Sequence, residues 1–333
     1  MTDISNPNYF PVDFDVAGKE FLMLDLTLEE ITQSPFLYSI AGADQSLARR
    51  VPEQAFVGLA QPANQAFLFH TAFCGSTLLA QALDNPPMAV SLREPSALLS
   101  ISHASLRTPI DSLRPSLKTT LNLLGRPWAD SGKTLIKPTN QVNRLLPEIL
   151  KQGPHRAILL YSSLDEFIIS CCKKLPAADT QIRWMAQHLL HGTRLQQELG
   201  VPTDYKFHFL ESCVITWYAQ MEWYAFALQN DRHGDVCSLD MNVLMASPEK
   251  VVTACANFLQ FDTPQAAIAE RVGLVFSRNS KDAGVQYSPE LRAKERQSKR
   301  AAYKRELEVA TDWAREAIAP SAIMPTDWKP LSV

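Results

Sequence analysis

Residues 69–83, FHTAFCGSTLLAQAL, hold the residue types of an anion-binding turn. An apolar run reaches Gly75, the hydroxyls of Ser76 and Thr77 follow, and Leu78, Leu79, Ala82 and Leu83 then share one helical face. A strand, a tight glycine turn and a helix make such a site from backbone alone. The first-turn N–H groups have no partner inside the helix, and the helix dipole adds positive potential. A nucleotide-hydrolysing loop reads G-x-x-x-x-G-K-[ST], with the lysine reaching the terminal phosphates. Here Ser76 directly follows Gly75, and no lysine or arginine stands between Ala66 and Leu92. The plainer alternative is an ordinary strand-to-helix turn of small residues.

SGKT at 131–134 is a competing match and fails. Pro127 stands where the first glycine belongs, and the segment runs into the apolar TLIKP rather than a helix. His70 immediately precedes the first turn and reads as a strand-end histidine, with a catalytic role as the alternative. The six cysteines, at 74, 171, 172, 213, 237 and 255, form no C-x-x-C pair and no metal-ligand spacing, so they read as buried reduced thiols.

The surrounding elements follow a strand–helix rhythm from Gln65. QAFLFH (65–70), MAVSL (88–92), TLIKP (134–138), RAILLYS (156–162) and DVCSLDMNVL (235–244) are short apolar runs bounded by loop residues, as buried parallel strands should be. Helical segments lie between them, and Pro95 suits the first turn of one. This order predicts an α/β protein with right-handed crossovers and a parallel sheet. Residues 1–60 lack the rhythm. LTLEEITQSPFLYSI suggests a capped helix and a packing segment, so 1–60 reads as an N-terminal arm on a main domain spanning 61–333. Residues 177–230 read as mostly helical, with Trp217, Tyr218, Trp223, Tyr224 and Phe226 on one helix. Ser247 is expected to cap the helix starting at Pro248, and Ser288–Ala319 reads as one charged surface helix.

Composition narrows the function classes. The chain has 333 residues, of which 46% are hydrophobic and 20% charged, and a formal net charge of −3. That balance gives no overall pull toward nucleic acid or anionic membrane, so any anion site must be local. No apolar run is long enough to span a bilayer, and Met1–Val16 shows no apolar core of a signal peptide; a cytoplasmic protein is expected.

Taken in order, several segments resemble sulfotransferases that use 3′-phosphoadenosine-5′-phosphosulfate, in particular divergent bacterial members. FHTAFCGSTLLAQAL is similar to the family's 5′-phosphosulfate loop, and RAILLYSSLDEFIISCCKK to its 3′-phosphate segment. DVCSLDMNVLMASPEKVVTACANFLQF is similar to the strand–x–P–helix–FL segment, and FSRNSKDAGVQYSP (276–289) to the basic loop that closes over the donor. The resemblance implies a three-layer α/β/α, P-loop NTPase-like fold and a phosphosulfate in the cradle. It also accounts for the missing lysine, because neither a triphosphate nor its metal ion must be neutralised.

The resemblance implies that Phe73, Cys74, Gly75, Ser76 and Thr77 hold the 5′-phosphate. Three positions depart from the family pattern: Phe73 stands where cytosolic members place a lysine, Lys137-Pro138-Thr139 ends without the family's histidine base, and Ser162 stands in place of the 3′-phosphate arginine. The roles would then fall to other residues. Glu94 becomes the base for the acceptor, Lys137 the support of the leaving oxygen, and Ser170, Arg278 and Lys281 join Ser162 around the 3′-phosphate. The acceptor would be a small molecule with a hydroxyl or amine, and no metal is required. A non-catalytic binding module on the same fold and a P-loop kinase with a displaced lysine stay open as alternatives.

Overall fold

The computed structural model describes residues 3–43, 48–62, 65–202, 204–276, 289–318 and 328–333. Strands β1 (Tyr9–Asp15), β2 (Glu20–Asp25) and β3 (Arg49–Pro52) form an antiparallel sheet in that order. This sheet is absent from the expectation for 1–60. β1 is buried at Tyr9, Phe10, Pro11 and Val12 in succession, which erases the period-two signature of a strand. The expected capped helix is present at Leu28–Gln33. Thr27 Oγ1 accepts from the Glu30 N–H, and Glu30 Oε2 accepts from the Thr27 N–H, a reciprocal capping box.

Two buried arginines bind this arm to the rest of the chain. Arg93 pairs with Asp84 at 2.7 Å and donates to the carbonyls of Thr32 and Ser34, both at 2.6 Å. Arg126 donates to the carbonyls of Ile4, Asn6 and Tyr9 at 2.6–2.8 Å. Carbonyl oxygens at element ends and in the irregular N-terminal backbone are thereby satisfied.

The expected parallel sheet is observed. It comprises β4 (Ala66–His70), β5 (Ala89–Arg93), β6 (Lys133–Lys137), β7 (Arg156–Tyr161) and β8 (Val236–Asp240), in the spatial order β5-β6-β4-β7-β8. Alternate residues feed two cores. Phe67, Phe69, Ile136, Ala157 and Leu159 face one side, and Ala66, Leu68, Leu135, Ile158 and Leu160 the other. Helices Ser76–Leu83, Pro248–Phe258 and Gln265–Phe276 cover the second face, while Ser96–Ala104, Leu164–Cys172, Asp179–Leu190 and Phe209–Asn230 cover the first. The result is a three-layer α/β/α protein. From β4 the chain crosses over β6 to β5, and from β6 it crosses over β4 to β7. The carboxyl ends of β4 and its neighbours are therefore where a crevice opens.

Some details differ from expectation. Pro95 is the N-cap of helix Ser96–Ala104 rather than its first residue. Ser247 occupies the N-cap of Pro248–Phe258, but its hydroxyl makes no capping bond because its backbone sits at φ −144° and ψ 67°. The charged C-terminal segment is two helices, Pro289–Ala302 and Lys304–Ala317, separated at Tyr303. SGKT is a turn leading into β6, as its rejection requires. All six cysteines are buried free thiols. No described helix is long and apolar enough to cross a membrane.

Candidate active site

β4 ends at His70, and the chain turns through Ala72, Phe73 and Gly75 at φ +68°, +55° and +77° before helix Ser76–Leu83 begins. Only Gly75 occupies the left-handed region without strain; Ala72 and Phe73 each cost on the order of 1–3 kcal/mol there. Turns of this kind direct successive N–H groups into an anion-binding concavity. The first intrahelical bond runs from the Leu79 N–H to the Gly75 carbonyl at 3.0 Å, above the orphan donors of the first turn. The hydroxyls of Ser76 and Thr77 make no hydrogen bond to any described residue. A β-carbon at Gly75 would lie 2.7 Å from Met245 Cε, so that methionine closes one side of the turn. Cys74 is fully buried, burial pushes its thiol up from the ordinary range, and it lies 3.7 Å from the Leu160 carbonyl. It is a packed thiol, not a nucleophile.

Beside the turn, β4, β5 and β6 end in three ionisable residues: His70, then Glu94 just past Arg93, and Lys137. Lys137 Nζ lies 2.7 Å from Glu94 Oε1, and His70 Nε2 lies 3.8 Å from the same oxygen. Glu94 sits at φ +60°, and its N–H donates to the Lys137 carbonyl at 2.7 Å, which holds the strained residue in place. Glu94 Oε2 has no partner among the described residues. Lys137 is 0% exposed; burial lowers its pKa and the Glu94 carboxylate works against that.

His70 Nδ1 accepts from the Ala72 N–H at 3.1 Å, so the neutral ring carries its proton on Nε2, a buried donor with no hydrogen-bond partner within 3.5 Å among the described residues. Burial first, and the Lys137 charge second, hold the His70 pKa well below its ordinary value. This histidine is neutral at pH 7.

No protein-family model and no curated protein sequence matches the chain. Among solved structures it is similar to a sulfotransferase from Alicyclobacillus acidocaldarius, at 12% identity and a TM-score of 0.39 over 76% of this chain and 96% of that one. It is also similar to the sulfotransferase domain of the Synechococcus PCC 7002 olefin synthase, at 16% identity and a TM-score of 0.39 over 70% and 83%. A mouse sulfotransferase complexed with PAP gives 10% identity and a TM-score of 0.35 over 79% and 94%. These likenesses are distant.

The structure brings Phe73, Cys74, Gly75, Ser76 and Thr77 to one turn and sets Glu94 and Lys137 beside it. Ser162 follows β7 but is wholly buried, with no partner for its hydroxyl among the described residues, its N–H bonded to Thr71 Oγ1 at 3.4 Å and its carbonyl to Trp217 Nε1 at 2.8 Å. Ser170 is half-buried on helix Leu164–Cys172. Arg278 and Lys281 lie outside the described residues. Two arginines from the next described helix reach the same neighbourhood: Arg296 contacts Glu166 and Asn242, and Arg300 contacts Asp165.

Sequence reasoning missed the layer beneath the turn. Asn143 Nδ2 donates to the His70 carbonyl at 3.0 Å and to Gln220 Oε1 at 2.9 Å, and Gln220 Nε2 reaches the Thr71 carbonyl at 3.4 Å. Asn140 also donates to Gln220 at 3.2 Å. A glutamine inside WYAQMEWYAF and two asparagines after a strand were the only signals available. Phe36 and Tyr38 were missed as well. Their rings stack at 5.4 Å, Lys137 Nζ lies 5.7 Å from the Phe36 centroid, and the Tyr38 phenol is pushed up by burial first and by Glu94 second. The N-terminal arm thus supplies an aromatic wall next to the carboxylate.

Proposed function

We propose that this protein is a sulfotransferase that moves a sulfuryl group from 3′-phosphoadenosine-5′-phosphosulfate to a hydroxyl or amine acceptor. One observation carries the reading: the left-handed turn Ala72–Gly75 adjoins a carboxylate, Glu94, that a buried lysine holds by one oxygen while the other is left for chemistry. The order of the four segments that resemble the family supports it from the sequence side.

The residues present fit such a donor. The N–H groups of 73–77 and the hydroxyls of Ser76 and Thr77 suit a 5′-phosphate, and Ser170, Arg278 and Lys281 are the proposed partners of the 3′-phosphate. Ser162 is not one of them, since its side chain is buried and its N–H and carbonyl are engaged by Thr71 Oγ1 and Trp217 Nε1. When bound, the donor supplies the sulfuryl group, whose sulfur exchanges its bond to the phosphate oxygen for one to the acceptor. Glu94 takes the acceptor's proton on Oε2, while Lys137 orients it through Oε1. Lys137 acts through Glu94; direct contact with the leaving oxygen would require it to release that carboxylate.

The test is release of adenosine 3′,5′-bisphosphate from the donor across a panel of hydroxyl and amine acceptors. Glu94→Gln keeps an oxygen for Lys137 and removes the base. It should lower kcat by about 10²–10⁴-fold and leave the donor KM nearly unchanged. An unchanged kcat sinks Glu94 as base. The Lys137–Glu94 pair also favours a second reading, an anion-binding module whose carboxylate is purely structural; that version predicts no turnover with any acceptor.

A further inference from the structure

The anion turn is held from beneath by a side chain. β4 pairs with β7 as far as His70, but its pairing with β6 is registered only at Ala66 and Phe67. At the end of β4, Asn143 stands in for the missing neighbour. It lies on the short 3-10 helix Asn140–Leu145 that follows β6, and it donates to the His70 carbonyl at 3.0 Å. Its amide fits only one way round. Gln220 Nε2 faces two acceptors, the carbonyls of Thr216 at 2.9 Å and Thr71 at 3.4 Å, which turns Oε1 toward Asn140 and Asn143. The two nearest partners of Asn143, Gln220 Oε1 and the His70 carbonyl, are therefore both acceptors, and its nitrogen must serve them.

Asn143 and Gln220 are both 0% exposed, and Asn143 Oδ1 is buried with no hydrogen-bond partner among the described residues. An unpaired buried amide oxygen costs stability, so what this side chain contributes is its donors rather than its packing. The peptide planes entering the turn are pinned at both ends. In the plane between His70 and Thr71, the carbonyl accepts from Asn143 and the N–H donates to the Leu160 carbonyl at 3.1 Å. In the next plane, the Thr71 carbonyl faces Gln220 and the Ala72 N–H donates to His70 Nδ1 at 3.1 Å. The positive φ angles of Ala72 and Phe73 come directly after. Strained backbone of this kind persists only where its surroundings over-determine it.

We propose that Asn143 is a positioning residue of the anion site: by fixing the His70 carbonyl, with Gln220 behind it, it sets the direction of the 73–77 N–H groups before a phosphate binds. The inference rests on those residues being a phosphate cradle, as in the proposed function, but not on which nucleotide carries the phosphate. Preorganisation of this kind acts on binding, so its loss raises the donor KM and spares kcat, the reverse of Glu94→Gln.

Titration calorimetry with adenosine 3′,5′-bisphosphate and, separately, inorganic pyrophosphate tests it on the wild type, Asn143→Leu, Gln220→Met and Leu189→Ala. The last opens a cavity at a buried position of helix Asp179–Leu190 and lowers stability without removing these bonds. Asn143→Leu and Gln220→Met should weaken both ligands about tenfold, while Leu189→Ala stays within about threefold of wild type. In turnover, Asn143→Leu should raise the donor KM by a similar factor and leave kcat within about threefold. Should Asn143→Leu not fold, Gln220→Met is read in its place. Wild-type affinity in Asn143→Leu, or an equal loss in Leu189→Ala, overturns the proposal. If pyrophosphate binds in an Asn143-dependent way and the bisphosphate does not bind, the inference stands and the donor reading falls. If neither ligand binds the wild type, both fall.

Discussion

At the scale of single residues, burial decides which ionisable groups can do chemistry. Lys137 and Glu94 form an ion pair whose lysine is inaccessible and whose second carboxylate oxygen has no partner among the described residues. Four histidines pay a different cost. His70, His155, His188 and His191 all have pKa values lowered chiefly by burial, with His155 at about 4 and His188 at about 3. For a histidine whose folded pKa lies below its unfolded value of about 6.5, the unfolded chain binds the extra proton first. The stability tied to these rings is therefore complete above pH 6.5. It is lost as pH falls below that, down to about 4 for His155 and about 3 for His188. His155 has both ring nitrogens buried without hydrogen-bond partners among the described residues and packs edge-on against Phe67 at 5.2 Å. His155→Leu should flatten the acid limb, raising the melting temperature relative to wild type more at pH 5 than at pH 8. Thermal melts across that range check it, and an equal shift at both pH values would show that His155 does not titrate in this way.

At the scale of elements, the parallel strands and their helices are built where periodicity and bounding residues place them, while the arm is held by contacts no local pattern encodes. Arg93 is the clearest case. It reads as a mere neighbour of Glu94, yet it is 1% exposed, pairs with Asp84 and donates to three carbonyls of the Ile31–Ser34 segment. Arg93→Met would strand the buried Asp84 carboxylate and those carbonyls, and should cost about 3–5 kcal/mol. Denaturant melts measure this; a loss under about 1 kcal/mol would mean that the arm is held by its apolar contacts alone. The same limit governed the site. The Gly75-Ser76-Thr77 turn was legible because its glycine, hydroxyls and apolar helix face are contiguous. The Lys137–Glu94 pair and the Asn143–Gln220 bond join residues far apart in the chain, and only the crossovers bring them together. β1 stayed hidden because it buries consecutive residues.

At the scale of the molecule, two cores on opposite faces of one sheet leave the carboxyl ends of β4, β5 and β6 as the place where backbone donors and charged side chains converge. The central claim is that this edge binds a 3′,5′-bisphosphate nucleotide rather than a metal-complexed triphosphate. The most direct measurement is the shift in melting temperature with adenosine 3′,5′-bisphosphate against Mg-ATP and 5′-AMP. A ligand at 100 times its Kd that binds only the folded state stabilises by about 2.7 kcal/mol, enough to raise the melting temperature by a few degrees. The account predicts that rise with the bisphosphate and at most a small one with 5′-AMP or Mg-ATP. A rise with Mg-ATP alone, or with none of the three, would contradict it.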